Sequence, residues 1–103
     1  MVYAFAAVAE PTRREILDFL RGGSRSVGEI VERTGLSQPG VSKHLRVLRE
    51  HGLVSVRRDA QRRLYDIDPA PLAELDAWLE PYRALWNDRL DALGRHLDEE
   101  AAS

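Results

Sequence analysis

From Glu10 onward, apolar residues recur every three or four positions, then every second position, then return to the helical interval. Glu10-Pro11 opens the first run, with proline in the first turn, where its missing N–H does no harm. Ile16, Leu17, Phe19 and Leu20 supply the apolar face of that helix, and Gly22-Gly23 ends it. Ser26-Val27-Gly28-Glu29 has the spacing of a capping box, in which Ser26 and Glu29 each satisfy a free backbone N–H. Ile30 and Val31 form the inner face of the short helix that follows, and Gly35 stands where a left-handed residue would stop it. Leu36 is then an apolar plug and Ser37 an N-cap for the next helix. Two short helices joined by a tight glycine-containing turn predict a helix-turn-helix over residues 26–50.

The second of these helices, Ser37 to Arg49, can be read by angle at ~100° per residue. Val41, Leu45 and Leu48 fall together and face a core. Opposite them lie Pro39, Lys43, Arg46 and Glu50, with Gln38 and Ser42 on the flank. His44 is nearer the inner face, which suits packing or a bond to phosphate. The small residues Ser37, Gly40 and Ser42 let the helix end approach a surface closely, and its free N–H groups and dipole favour phosphate there. Gln38 carries the donor–acceptor pair that reads an adenine edge, and Lys43 or Arg46 reaches guanine or phosphate. After Gly52 the period becomes two. Val54 and Val56, then Leu64 and Ile67, read as strands separated by the polar break Asp59-Ala60-Gln61. The ribbon over residues 53–67 presents Arg57, Arg58, Gln61, Arg62 and Arg63 near its tip, as a wing for the sugar–phosphate backbone or minor groove.

Charge sharpens this picture. The chain has 103 residues and a net charge of −2, but the sum hides a strong polarity. Residues 1–40 balance, residues 41–65 carry a net +5, and residues 66–103 a net −7. The middle segment is built to meet a polyanion while the acidic end faces elsewhere. At this length one domain, 1–103, is expected, and 44% hydrophobic with 31% charged residues is a globular composition. No apolar run approaches a membrane span, and the short apolar start has no basic leader, so a cytoplasmic location is expected. Without cysteine there is no disulfide, thiolate metal site or thiol sensor.

At the C-terminal end Leu72, Leu75, Leu79, Tyr82, Trp86, Leu90, Leu93 and Leu97 recur at three and four, and Trp78 and Leu85 widen the stripe. A helix over these residues spans roughly 39 Å at 1.5 Å per residue, longer than a domain of this size needs for its own core. The stripe therefore calls for a partner, most simply a second copy, with Tyr3 and Phe5 joining the interface. Pro81 predicts a kink or break near Trp78–Glu80.

The runs EPTRREIL, SVGEIVERTGLSQPGVSKHLRVLREHGLV and RRDAQRRLYDID resemble the ArsR-type winged helix-turn-helix repressors of bacteria, over about residues 3–68. The segment PLAELDAWLEPYRALWNDRLDALGRHL is similar to the branch of that family with a Trp-rich C-terminal helix. The resemblance implies a mainly α fold with a small β-hairpin and a homodimer made through N- and C-terminal helices, residues 1–9 and 69–99. It also implies a repressor of double-stranded operator DNA, often that of its own operon. Ala60-Gln61 stands where the family commonly has glycine, which leaves the turn open, a loop longer than two residues included. Many relatives hold metal through a Cys-x-Cys pair, where this chain has Ser26-Val27-Gly28. Others use Asp, His and Glu on the C-terminal helix, where His96 stands with Asp76, Asp88 and Asp91 but no second histidine at ligand spacing. No metal and no cofactor is expected. A nucleophile–base pair and a phosphate-cradling glycine loop are likewise missing, which argues against catalysis. Two alternatives stay open. One is a winged-helix module for protein contacts alone, and the other a repressor with a small-molecule pocket between the C-terminal helices lined by Trp78, Tyr82 and Trp86.

The lack of cysteine and of paired histidines leads to the expectation that zinc, cadmium, arsenite and oxidants leave DNA affinity unchanged. Titration of the protein–DNA complex with each reagent checks it. A stoichiometric zinc site that shifts affinity about tenfold would be decisive against it.

Overall fold

The computed structural model describes residues 4–102, so Tyr3 lies outside the described residues. The elements are α1 (Ala4–Val8), α2 (Pro11–Leu20), β1 (Arg25–Ser26), α3 (Val27–Thr34), α4 (Gln38–Glu50), β2 (Val54–Asp59), β3 (Arg62–Ile67) and α5 (Ala70–Ala102). Local chemistry sets their ends. Glu10 caps α2, its carboxylate accepting the Arg13 backbone N–H at 2.8 Å. The capping box of α3 is complete: Ser26 Oγ accepts from the Glu29 N–H at 3.2 Å, and Glu29 accepts from the Ser26 N–H at 3.1 Å. That second bond is the main reason the Glu29 carboxyl lies below its ordinary pKa.

Two glycines in the left-handed region turn the chain around α4. Gly35, at φ 72°, ends α3 with its N–H on Val31 O at 2.9 Å. Gly52, also at φ 72°, donates to Arg49 O, and Leu53 donates to Leu48 O at 2.9 Å. These are the paired bonds of a Schellman motif, and the Leu48 and Leu53 side chains that flank it are fully buried. The exit from α4 into β2 is therefore fixed by backbone and core together.

The three strands form one antiparallel sheet in the order β1-β3-β2. Strand β1 was not expected from the sequence, because two residues carry no period. Arg25 pairs with Tyr65 and Ser26 with Leu64, which pins β3 to the start of α3. In the ribbon, Asp59 pairs with Arg62, so the loop is the two residues Ala60-Gln61. Ala60 sits at φ 57°, the position where glycine avoids a steric penalty. The core gathers Ile16 and Leu20 of α2, Ile30 of α3, Val41, Leu45 and Leu48 of α4, then Leu53, Val54 and Tyr65. Ala4 and Ala7 of α1 and Leu75 of α5 complete it.

Of the kink or break expected near Trp78–Glu80, the break is absent, since α5 runs unbroken through Pro81. Proline removes one donor to the carbonyl four residues earlier. Arg83 reaches back across that turn, donating to Asp76 O at 3.2 Å, to the Asp76 carboxylate, and to Glu80 at 2.8 Å. The Asp76 bond is the main cause of its raised pKa. The helix is about 50 Å long at 1.5 Å per residue, and it draws the molecule out to 66 × 30 × 20 Å. No helix among the described residues is long and apolar enough to cross a membrane.

A left-handed alanine costs about 1 kcal/mol relative to glycine. Ala60→Gly is expected to raise stability by about that amount and to leave the register unchanged. Thermal denaturation checks the gain, and an unchanged or lower melting temperature would overturn the turn assignment.

Candidate nucleic-acid interface

Helix α4 is held by its buried side, so its other side is presented to solvent. Val41, Leu45 and Leu48 are at most 1% exposed, while Gln38, Pro39, Ser42, Lys43, Arg46, Arg49 and Glu50 are all exposed. Ser37 caps the helix, its Oγ accepting the Gly40 N–H at 3.2 Å. A side chain at Gly40 would crowd that cap, because a Cβ there would lie 3.2 Å from Ser37 Oγ. Gln38, Ser42, Lys43, Arg46 and Arg49 make no side-chain hydrogen bond or ion pair among the described residues. Their polar ends are free for a ligand.

His44 stands apart from these residues. Its ring turns toward α2, with Nδ1 3.8 Å from the Glu10 carboxylate, and this nitrogen is buried without a hydrogen-bond partner. The Glu10 carboxyl is held below its ordinary pKa. Desolvation pushes it up, but the Arg13 and Thr12 bonds and the nearby His44 outweigh that. The same corner ties α1 to α2: Arg13 donates to Ala6 O and Ala7 O, and Arg14 to Val8 O and Ala9 O. Nothing in the residue pattern signalled this chain of contacts, because it joins elements through carbonyls.

The wing's register sorts its four arginines into two pairs. Paired residues share a face, so Arg58 and Arg63 lie together on the face of Val56 and Tyr65. Arg57 and Arg62 lie on the other, with Leu64. Arg57 is engaged at home, 3.3 Å from Asp66 and 3.1 Å from Ser24 Oγ, and Arg62 is 4.0 Å from Asp59. Arg58 and Arg63 oppose each other across the strands with no carboxylate partner among the described residues. Like charges so placed repel unless an anion lies between them. Arg63 also lies beside α4: it shares a cleft of about 390 Å³ with Gln38, Ser42, Arg46, Arg49 and Tyr65. Gln61 is exposed in the turn.

Away from this basic surface, α5 carries Trp78, Tyr82, Leu85, Trp86, Leu90, Leu93 and Leu97, each at least 40% exposed. Phe5 of α1 stands edge-on to Trp78 at 4.9 Å, and Trp78 lies 4.8 Å from Tyr82. Leu79 is half-buried. Leu75, grouped with this stripe from its spacing, is instead buried in the chain's own core beneath α1 and α2. Its position at the root of α5 places it over the head rather than beyond it. No cluster of three metal-binding side chains occurs among the described residues.

A helix-turn-helix whose second helix is exposed beside a basic β-ribbon defines a winged helix-turn-helix DNA-binding protein. Residues 10–56 match the family model described as bacterial regulatory protein, arsR family. The chain is 36% identical over 75 residues to the transcriptional repressor SdpR of Bacillus subtilis, covering 73% of this chain and 83% of that protein. It is 37% identical over 97 residues to the HTH-type transcriptional regulator Rv2034 of Mycobacterium tuberculosis, covering 94% and 88%. Among solved structures, the homodimeric winged helix-turn-helix DNA-binding domain of Mb0332 from Mycobacterium bovis matches with a TM-score of 0.62 at 34% identity. That match covers 77% of this chain and 73% of the other. This chain therefore belongs to the arsR family of bacterial regulatory proteins.

The two arginine pairs are expected to behave differently. Arg58→Ala with Arg63→Ala should weaken binding to all duplexes and flatten the log–log salt dependence by about 1 for each phosphate no longer neutralised. Arg57→Ala with Arg62→Ala should act chiefly on wing stability, since both arginines already face carboxylates. Duplex titrations at several salt concentrations, with melting curves, check this. Equal changes of salt slope in the two double variants would overturn the division.

Proposed function

We propose that the chain is a homodimeric repressor that binds a pseudo-palindromic operator and acts by covering a promoter, that of its own operon included. Two α4 helices enter successive major grooves about one helical turn apart, and each wing lies along the flanking backbone. The observation that carries this reading is the outward face of α4, where Gln38, Ser42, Lys43 and Arg46 have no partner among the described residues. Gln38 at the helix start reads a base edge, Lys43 and Arg46 reach guanine or phosphate, and Arg58 and Arg63 hold the strand. His44 supports the helix from behind, through its approach to Glu10.

The exposed stripe of α5 supports the dimer. Full burial of a large apolar side chain gains about 1.5–3 kcal/mol, so seven of them in one row favour association strongly. The homodimeric state of the Mb0332 domain agrees with this. The net −7 of residues 66–103 fits as well, because helices placed away from DNA repel no phosphate.

Two substitutions test the reading together. Gln38→Ala is expected to relax base preference while leaving binding to random duplex almost unchanged. Trp86→Asp places a charge in a desolvated contact, so it should split the dimer and bring operator affinity toward the non-specific range of ~10⁻⁴–10⁻⁶ M. Light scattering with operator titration measures both. A wild-type protein that is monomeric at micromolar concentration yet binds its operator tightly would refute the proposal.

A further inference from the structure

A second concave surface shares no lining residue with the cleft between α4 and the wing. It is a cleft of about 350 Å³ at the root of α5, floored by Val8, Leu17, Ile67, Leu72 and Leu75. That floor draws on α1, α2, β3 and α5, so four elements meet in it. Its rim is polar and comes from one face of α2: Arg14, Asp18 and Arg21, at positions i, i+4 and i+7. The volume lies within the usual range of small-molecule sites, and a mostly aliphatic floor with a few charged groups at the edge is their usual make-up.

The rim identifies the ligand chemistry. Arg14 is held in place, its Nη1 donating to Val8 O at 2.8 Å and to Ala9 O at 3.0 Å, which leaves its remaining N–H groups unused. Arg21 has no side-chain partner among the described residues. Asp18 stands between them without an ion pair to either, so the rim is net positive. We propose that this cleft binds a small amphipathic carboxylate, its apolar tail on the Leu17–Leu72–Leu75 floor and its carboxylate on Arg21 and Arg14. We further infer that occupancy lowers operator affinity, a step that rests on the dimeric repressor reading above. Leu72 and Leu75 belong to the first turns of α5, and Val8 closes α1. A ligand wedged between them and α2 changes the angle at which α5 leaves the head. In a dimer held along α5, that angle sets the separation of the two α4 helices.

The test uses octanoate as probe and octanol as its neutral counterpart, added to the full chain without DNA and followed by calorimetry and amide chemical shifts. Octanoate is expected to saturate at one per protomer, moving the resonances of Leu17, Ile67, Leu72 and Leu75, with octanol at least about tenfold weaker. Arg21→Glu should weaken octanoate about tenfold or more and leave octanol unchanged. Absence of saturable binding, equal binding of the two probes, or shifts confined to Trp78 and Trp86 would overturn the site. So would concentration-dependent shifts at Leu17 and Leu72 that octanoate does not reverse, since a second copy would then fill the cleft. The regulatory step is read separately, as operator affinity at saturating octanoate. An unchanged affinity rejects the coupling alone, and loss of all operator binding by the ligand-free protein rejects the repressor reading while the binding data still stand.

Discussion

Burial of Val41, Leu45 and Leu48 seats α4 against the core, and a helix turning about 100° per residue then has no freedom over where its other residues point. Gln38, Ser42 and Arg46 face outward because these three aliphatic side chains face in. Both ends are closed as well. Ser37 fixes the start through Gly40, and the paired bonds from Gly52 and Leu53 fix the finish. The outward face of α4 is a by-product of core packing, and packing is the interaction that proteins specify most tightly. Since a single α4 turn displaced by one residue would swing every contact by a quarter circle, such rigidity is what base readout requires.

The wing works on a different principle. Strand β3 is central in the sheet, paired to β2 on one side and to β1 on the other, and β1 runs straight into the capping box of α3. The ribbon is thereby joined to the helix-turn-helix as one unit, and Arg63 comes to share a cleft with Arg46 and Arg49. Two of the wing's arginines, Arg57 and Arg62, stand near Asp66 and Asp59, while Arg58 and Arg63 face each other with no carboxylate partner among the described residues. A cross-strand pair of like charges is slightly destabilising in isolation, and a phosphate between them turns that repulsion into attraction.

Much of this architecture was legible in the residues. The caps at Ser26 and Ser37 and the stop at Gly35 are short-range signals, and the inward set on α4 follows from period alone. What escaped was of three kinds. Strand β1 is two residues long, and its pairing with β3 is a tertiary event that no local pattern announces. At Pro81 the helix runs on without a break, with Arg83 spanning Asp76 and Glu80 beside it, and at Ala60 a two-residue connection holds alanine at positive φ. Leu75 failed for a third reason. Its spacing belongs to the α5 stripe, yet the stripe begins over the head and only later leaves it, so one period serves two different partners.

That division of α5 bears on how the two ends of the molecule communicate. Its root is embedded with α1 and α2, and the same corner contains Arg13 on the α1 carbonyls, Glu10 on the Arg13 N–H, and His44 of α4 beside Glu10. Arg13 and Glu10 thus link α1 to the start of α2, and His44 of α4 lies beside that link, its Nδ1 3.8 Å from the Glu10 carboxylate. The unpartnered stripe beyond Leu75 then supplies leverage, because whatever packs against it acts on a helix about 50 Å long anchored in that corner. Ala7 and Leu75 share one core cluster, so the start of α5 is packed into the same body that seats α4.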